Sequence, residues 1–131
     1  MQMVGNEVNN GGKLIVVPVK AGTIINENCL VALDSTGMAI EAVKAAEITA
    51  IGRSEQYVDN SLNSVDGAVS VNVKRGVFKW NNDPENPVEQ KDVMKQCYIL
   101  DSKTVTMASE NNSIAGKVIG LEGGFVQVET L

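Results

Sequence analysis

The segment AVSVNVKRGVFKW, Ala68 to Trp80, decides the fold class of this chain. Val69, Val71 and Val73 alternate with polar residues, and in a strand this period of two places the three β-branched side chains on one face. Gly76 interrupts the alternation, which indicates a bulge or the close approach of another backbone segment. The segment therefore predicts a strand at the centre of an all-β protein.

Phe78 and Trp80 end this segment and supply much of the aromatic content of a chain with only 4% aromatic residues. If exposed, the pair could form a stacking platform for a sugar or a base. If buried, it would fill the core or a contact between subunits. We expect the second role, shared with the valines of the same segment.

The composition argues against several classes of function. The chain has 131 residues, enough for one domain, and 11 basic against 16 acidic residues give a net charge of -5. A nucleic acid or an anionic membrane surface would favour a basic protein instead. The apolar runs are too short to span a membrane, and no secretory signal is expected. The absence of histidine removes the usual general base and the usual metal ligand.

We predict a flexible N-terminal arm over residues 1–13 and a single β domain over residues 14–131. The arm is polar and contains glycine, so it cannot bury enough apolar surface to offset the entropy lost on ordering. Pro18 indicates that the first strand lies at a sheet edge or contains a bulge. The segment from Tyr57 to Gly67 is interpreted as a polar loop. One short helix is expected over Val88 to Lys95, after a proline. The predicted strands are Leu14 to Val19, Cys29 to Leu33, Met38 to Ala42, a strand from Ile48, Ala68 to Trp80, Cys97 to Leu100, Thr104 to Ala108, Ala115 to Leu121 and Phe125 to Glu129.

The two halves of the chain resemble each other. Three pairs of segments recur in one order: Cys29 to Ser35 with Cys97 to Ser102, Ile51-Gly52-Arg53 with Ala115-Gly116-Lys117, and Gly67 to Val71 with Gly124 to Val128. In each half the cysteine segment is also followed by a strand that contains a methionine, Met38 or Met107. In this alignment the two cysteines are equivalent. The repeat predicts a duplicated unit, and two such units on one core give a small β-barrel or sandwich built from two related halves.

The sequence contains no recognisable catalytic or metal site. A serine or cysteine nucleophile needs a neighbouring base, and no motif provides one. Cys29 and Cys97 could form a disulfide or a thiol site, but we expect both to be reduced and buried. The loop acids Asp59, Asp66 and Asp83 lack the spacing of a calcium loop. We therefore predict a protein without a cofactor that is not an enzyme.

The run from Val71 to Leu100 resembles a family of small bacteriophage and prophage virion proteins, the capsid decoration or cement proteins. The likeness rests on V-x-V-K-R-G-V-F-K-W-x-N, then Pro-Val-x-x-x-Asp-Val, then Cys-Tyr-Ile-x-Asp. It extends to Ala115-Gly116-Lys117-Val118 and to Val126-Gln127-Val128. Met94 departs from the family, which often has glycine there.

This resemblance implies a non-catalytic structural protein that is made in the bacterial host cytoplasm and binds the outside of the capsid. Its expected partners are the major capsid protein and two further copies of itself in a trimer. The N-terminal arm could contact the capsid through four apolar anchors, Met1, Met3, Val4 and Val8, or it could be a terminus without a role. The alternative function is a carbohydrate- or ligand-binding β module with Trp80, Tyr57 and Tyr98 as its platform.

Overall fold

A computed structural model describes Gly5 and residues 12–130, which form an all-β fold as predicted. The anchors Met1, Met3, Val4 and Val8 of the predicted arm lie outside the described residues. The strands are β1 (Leu14–Pro18), β2 (Ile24–Ile25), β3 (Leu30–Leu33), β4 (Ala39–Glu41), β5 (Thr49–Ser54), β6 (Val58–Asp59), β7 (Ser70–Lys74), β8 (Gly76–Asn82), β9 (Gln96–Asp101), β10 (Thr104–Thr106), β11 (Ile114–Glu122) and β12 (Phe125–Thr130).

The two halves of the chain have the same strand topology. The first half forms a five-stranded sheet in the order β1-β7-β5-β3-β4, and β1 lies at its edge, as Pro18 predicts. A parallel bridge between Val19 and Ala39 connects the two ends of this sheet. The second half forms a closed barrel, β10-β8-β12-β11-β9, in which β8 and β10 pair in parallel. The predicted barrel of two related halves is therefore confirmed.

Equivalent backbone hydrogen bonds relate the two halves residue by residue. Where each barrel closes, the Lys20 N–H donates to Ala39, and the Asp83 N–H donates to Val105 in the same way. In β5 Gly52 has φ 145°, and at the equivalent position in β11 Gly116 has φ 159°. The Gly52 and Gly116 blocks of the sequence repeat are thus equivalent in the fold.

The other two blocks of the predicted repeat are shifted by two residues. The Ser54 N–H donates to Cys29, whereas the equivalent Val118 N–H donates to Lys95. Cys29 is therefore equivalent to Lys95, and the two cysteines are not equivalent. Likewise, the residue that corresponds to Val128 is Val73 rather than Val71, because each lies opposite the strand that carries its glycine. A shift of two keeps every side chain on the same face of a strand, so the alternating pattern alone cannot detect it.

The segment that decides the fold class belongs to two different sheets. We expected one strand with a bulge at Gly76, but β7 ends at Lys74 in the first half and β8 begins at Gly76 in the second. Val71 and Val73 are fully buried in the core of the first half, and Val69 is partly buried beside them. The chain passes from one core to the other at Arg75.

The second core also receives residues from the first half. Leu30, Ala32, Ala42 and Ala50 lie on the outer face of the first sheet and pack in the same apolar cluster as the second barrel. Trp80 belongs to this cluster and is only 4% exposed. The strands β3 and β5 are consequently covered on both faces, which joins the two halves through a common core.

The short helix expected over Val88 to Lys95 is a single 3-10 turn at Gln90–Asp92. It goes no further because the Met94 N–H donates to the carbonyl of Val118 in β11 rather than continuing a helical ladder. A second difference lies between Tyr57 and Gly67, which we predicted to be a loop throughout. There β6 pairs with β2 in a two-stranded ribbon that the polar sequence did not indicate.

Candidate interaction surface

Phe78 and Trp80 pack together in the second half of the protein. Their ring centroids are 6.3 Å apart with an interplanar angle of 59°, and Phe78 is partly buried. The Arg53 guanidinium carbon lies 4.6 Å from the centroid of the Phe78 ring. Phe78 therefore joins the two halves through a cation–π contact, and Trp80 fills the core.

The structure does not bring Trp80, Tyr57 and Tyr98 together on one exposed platform. Trp80 is 4% exposed, and its Nε1 is the buried side-chain polar atom without a partner among the described residues. Tyr57 is 56% exposed beside β6, in the first half. Tyr98 is partly buried in β9, where it lines a groove between the halves.

That groove has a volume of about 510 Å³ and lies between the first residues of β5 and β11. Ser113 spans the junction, because its Oγ donates to the Ala45 carbonyl at 2.6 Å and accepts the Ile48 N–H at 3.2 Å. Asn112 donates through Nδ2 to two backbone carbonyls of the second half. The polar side chains of the groove thus hold the protein's own backbone.

An ordered loop presents apolar side chains to solvent, and sequence analysis missed it. Asn60 is fully buried at its centre, and its Nδ2 donates to the carbonyls of Val19 and Lys20, each at 3.1 Å. Outside this network Leu62 is 96% exposed and Val65 is 62% exposed. We call Tyr57, Leu62 and Val65 the loop surface. Two large apolar residues within a polar loop were the only sequence signal for it.

The two cysteines are free and buried, as predicted. Burial raises the pKa of the Cys97 thiol to about 12 and also raises the pKa of Cys29. Since the thiolate is the reactive form, neither cysteine has the environment of a nucleophile.

The loop acid Asp83 has a structural role. It accepts hydrogen bonds from the Glu85 N–H at 2.9 Å and from the Thr106 hydroxyl at 2.8 Å. The Glu85 N–H is the main cause of its lowered pKa. Within residues 12–130 no three acidic, cysteine or histidine residues come together in a group that could hold a metal ion.

Comparisons with family models, curated proteins and solved structures give no match for this chain. In the part of the chain that the structure describes, no helix has the length and apolar character needed to cross a membrane.

Proposed function

We propose that this chain is a phage structural protein that binds the outside of the capsid and stabilises it as a decoration protein. It would act as a trimer without catalysis, with the major capsid protein as its partner in the virion. The alternative, a carbohydrate- or ligand-binding β module, would have to use Tyr57 and Tyr98 without Trp80, which is buried. The decoration function is supported first by the positions of the residues that carry the resemblance.

The proposal rests on one observation: several residues that carry the resemblance hold the backbone of the protein in place. Asn82 bonds both backbone groups of Val88, accepting its N–H at 2.8 Å and donating to its carbonyl at 2.9 Å. Asp92 is buried and accepts the Glu89 N–H at 2.9 Å. Gly116 lies where a Cβ would overlap the carbonyl of Glu129. Proteins whose function depends on their fold and their surfaces are expected to share residues that hold the backbone in this way.

Met94, which departs from the family pattern, keeps the backbone conformation that glycine favours. Its φ is 74°, and Asn28, its equivalent in the first half, has φ 63°. The turn therefore stays left-handed although its residue has a side chain, at a cost of about 1–2 kcal/mol. This departure does not weaken the resemblance at the level of the backbone.

The loop surface supports a function in protein contact. Its apolar side chains project from a backbone that the buried Asn60 holds in place. Exposed apolar residues on an ordered scaffold favour binding to another protein, because little entropy is lost when they are covered. In a trimer each such surface occurs three times, so weak contacts are multiplied by symmetry.

The test is binding to undecorated heads assembled from the major capsid protein that the same phage or prophage genome encodes. We expect the purified protein to sediment with the heads, to be trimeric by light scattering, and to raise the temperature at which the heads disassemble. Leu62→Ser should weaken binding, and Lys44→Ser serves as an exposed control on the loop between β4 and β5. A monomer that ignores heads and binds glycans would overturn the proposal in favour of the β module.

The contribution of the arm is tested by deleting residues 1–12. If the arm contacts the capsid, the truncated protein stays trimeric but binds heads more weakly. Unchanged binding would remove Met1, Met3, Val4 and Val8 from the mechanism. Because the strand β1 begins at Leu14, this deletion removes no strand residue, but it does remove the Gly12 carbonyl that accepts a hydrogen bond from Arg75 Nη1.

A further inference from the structure

Three positively charged residues have neighbouring backbones at one end of the first half, in a chain whose net charge is -5. Lys13 and Lys74 are exposed, and Arg75 is partly buried. They are neighbours in space, because the Arg75 N–H donates to the Lys13 carbonyl at 2.7 Å and Lys74 lies opposite Leu14 in the sheet. We call these three residues the basic end.

No residue of the basic end forms an ion pair among the described residues. The four ion pairs found there involve the cations Lys20, Arg53, Lys79 and Lys91. An acidic protein offers many carboxylates to its cations, so three adjacent cations without one form a local field of opposite sign to the net charge. This field favours a partner that brings its own negative charge.

Arg75 extends into a groove of about 220 Å³ that is lined by Ile15, Thr49, Ala50 and Ile51. Its Nη1 donates to the Gly12 carbonyl at 3.2 Å, and this is the only hydrogen bond that the Arg75 side chain forms with the part of the chain that the structure describes. A guanidinium has five N–H donors in a planar fork that matches a carboxylate. The groove therefore combines apolar walls with unused donors directed from a fixed position.

The second half shows that the barrel does not require this charge. There the residue equivalent to Arg75 is Thr130, whose hydroxyl donates to the Ala115 carbonyl at 3.0 Å. Thr130 is buried and neutral, and its side chain connects β12 to the beginning of β11 through this one hydrogen bond. Since a neutral residue serves the fold at this position, the guanidinium of Arg75 needs a reason outside the fold.

We infer that the basic end binds a carboxylate-bearing segment of a partner protein, with Arg75 as its centre. The inference rests on the proposed function for the identity of that partner, an acidic segment of the capsid subunit. The apolar walls of the groove suit the aliphatic stem of a glutamate. A nucleic acid is disfavoured, because three cations give a small footprint and the rest of the surface repels phosphate.

The test is the affinity of wild-type and variant proteins for undecorated heads at low and at physiological ionic strength. Arg75→Gln should weaken binding about tenfold at low salt, which corresponds to about 1.4 kcal/mol per site. Arg75→Lys should recover part of the loss, because it restores the charge without the planar fork. Lys74→Gln, at an exposed position, gives a second variant that leaves the groove unchanged.

Lys103→Gln is the matched control, because Lys103 is exposed in the second half and also forms no ion pair within residues 12–130. It should leave affinity within twofold of the wild type. Equal binding by wild type, Arg75→Gln and Lys74→Gln would overturn the inference while leaving the proposed function standing. A wild-type protein that does not bind heads would overturn both. The inference would also be overturned if Arg75→Gln weakened binding to DNA but left binding to heads unchanged. The same holds if Arg75→Gln caused the trimer to dissociate while its affinity for the capsid stayed the same.

Discussion

Replacing Gly52 or Gly116 with alanine tests the duplicated architecture most directly. In the structure a Cβ on Gly52 would lie 2.9 Å from the Lys74 carbonyl carbon and 3.1 Å from Val73 Cγ1, and it would overlap the Lys74 oxygen. At Gly116 it would lie 2.7 Å from the equivalent valine of β12 and would overlap the Glu129 oxygen. Backbone carbonyls of a neighbouring strand cannot rotate away, so each sheet would have to shift.

Two costs contribute to the expected loss of stability. Forcing a side chain into a space already filled costs about 1–3 kcal/mol, and holding alanine at φ 145° costs about 1–3 kcal/mol more. We therefore expect Gly52→Ala to lower the free energy of unfolding by about 2–6 kcal/mol. Gly116→Ala should have an effect of the same size.

Urea unfolding followed by fluorescence and circular dichroism measures this loss. Gly37→Ala is the control, because Gly37 has φ 87° but its added Cβ would meet nothing within 4 Å. It should cost only about 1 kcal/mol, the difference between alanine and glycine in a left-handed turn. If Gly52→Ala and Gly116→Ala cost no more than Gly37→Ala, the close approach of the strands is wrong. A large loss at only one glycine would contradict the equivalence of the two halves.

Three further predictions concern the core and one turn. Trp80→Ala should cost about 3–5 kcal/mol, and Trp80→Phe much less, because the indole N–H has no hydrogen-bond partner to lose among the residues that the structure describes; equal urea midpoints for the two variants would contradict this account. Cys29 and Cys97 should react with a thiol reagent only after unfolding, since both are buried; mass spectrometry of native protein that shows rapid labelling would contradict it. The Thr36 hydroxyl, the Met38 N–H and the Thr36 N–H hold the pKa of Asp34 at about 2, below its usual 3.8. The ionised Asp34 carboxylate therefore stabilises the folded protein above pH 4, and this stabilisation disappears as the pH falls toward 2. In a plot of the free energy of unfolding against pH, Asp34→Ala should therefore fall less steeply than the wild type between pH 4 and pH 2.

The sequence predicted elements where one local rule was sufficient. Asp34 illustrates this, because its Oδ1 accepts the Thr36 and Met38 N–H groups and so makes the turn that its position before Gly37 indicated. The strand from Ile48 was predicted well for the same reason, and β5 begins at Thr49. Alternation and turn residues act within a few positions of each other, so they can be read without knowledge of the fold.

The errors arose where a distant partner decides the outcome. The interruption of the alternation at Gly76 was interpreted as a bulge within one strand, because the local pattern cannot distinguish a bulge from a change of sheet at Arg75. The helix predicted after Pro87 is limited to one turn by Val118, which takes the Met94 N–H from β11. Asn60 organises its loop through carbonyls some 40 positions earlier in the chain. Long-range hydrogen bonds of this kind leave no periodic signal in the sequence.

The candidate surfaces were harder to predict than the fold. The four proposed anchors of the arm lie outside the described residues, and their role stays a prediction. The basic end combines Lys13 with Lys74 and Arg75, which are far apart in the sequence and become neighbours only when β1 pairs with β7. The Lys-Arg pair before Gly76 could have drawn attention to this end. Its lack of carboxylate partners could be known only from the structure.

A duplicated fold separates what maintains the structure from what is specific to one half. The two halves share a glycine at equivalent positions, Gly52 and Gly116, so that feature belongs to the barrel itself. They differ in the connection before their last equivalent strand: eighteen residues separate Ser54 from Val73, but nine separate Val118 from Val128. The longer connection carries the loop surface, and the position after its strand carries Arg75 where the other half has a neutral threonine. Because the second half closes a barrel of this topology without either feature, we propose that both serve contacts of the first half with another protein.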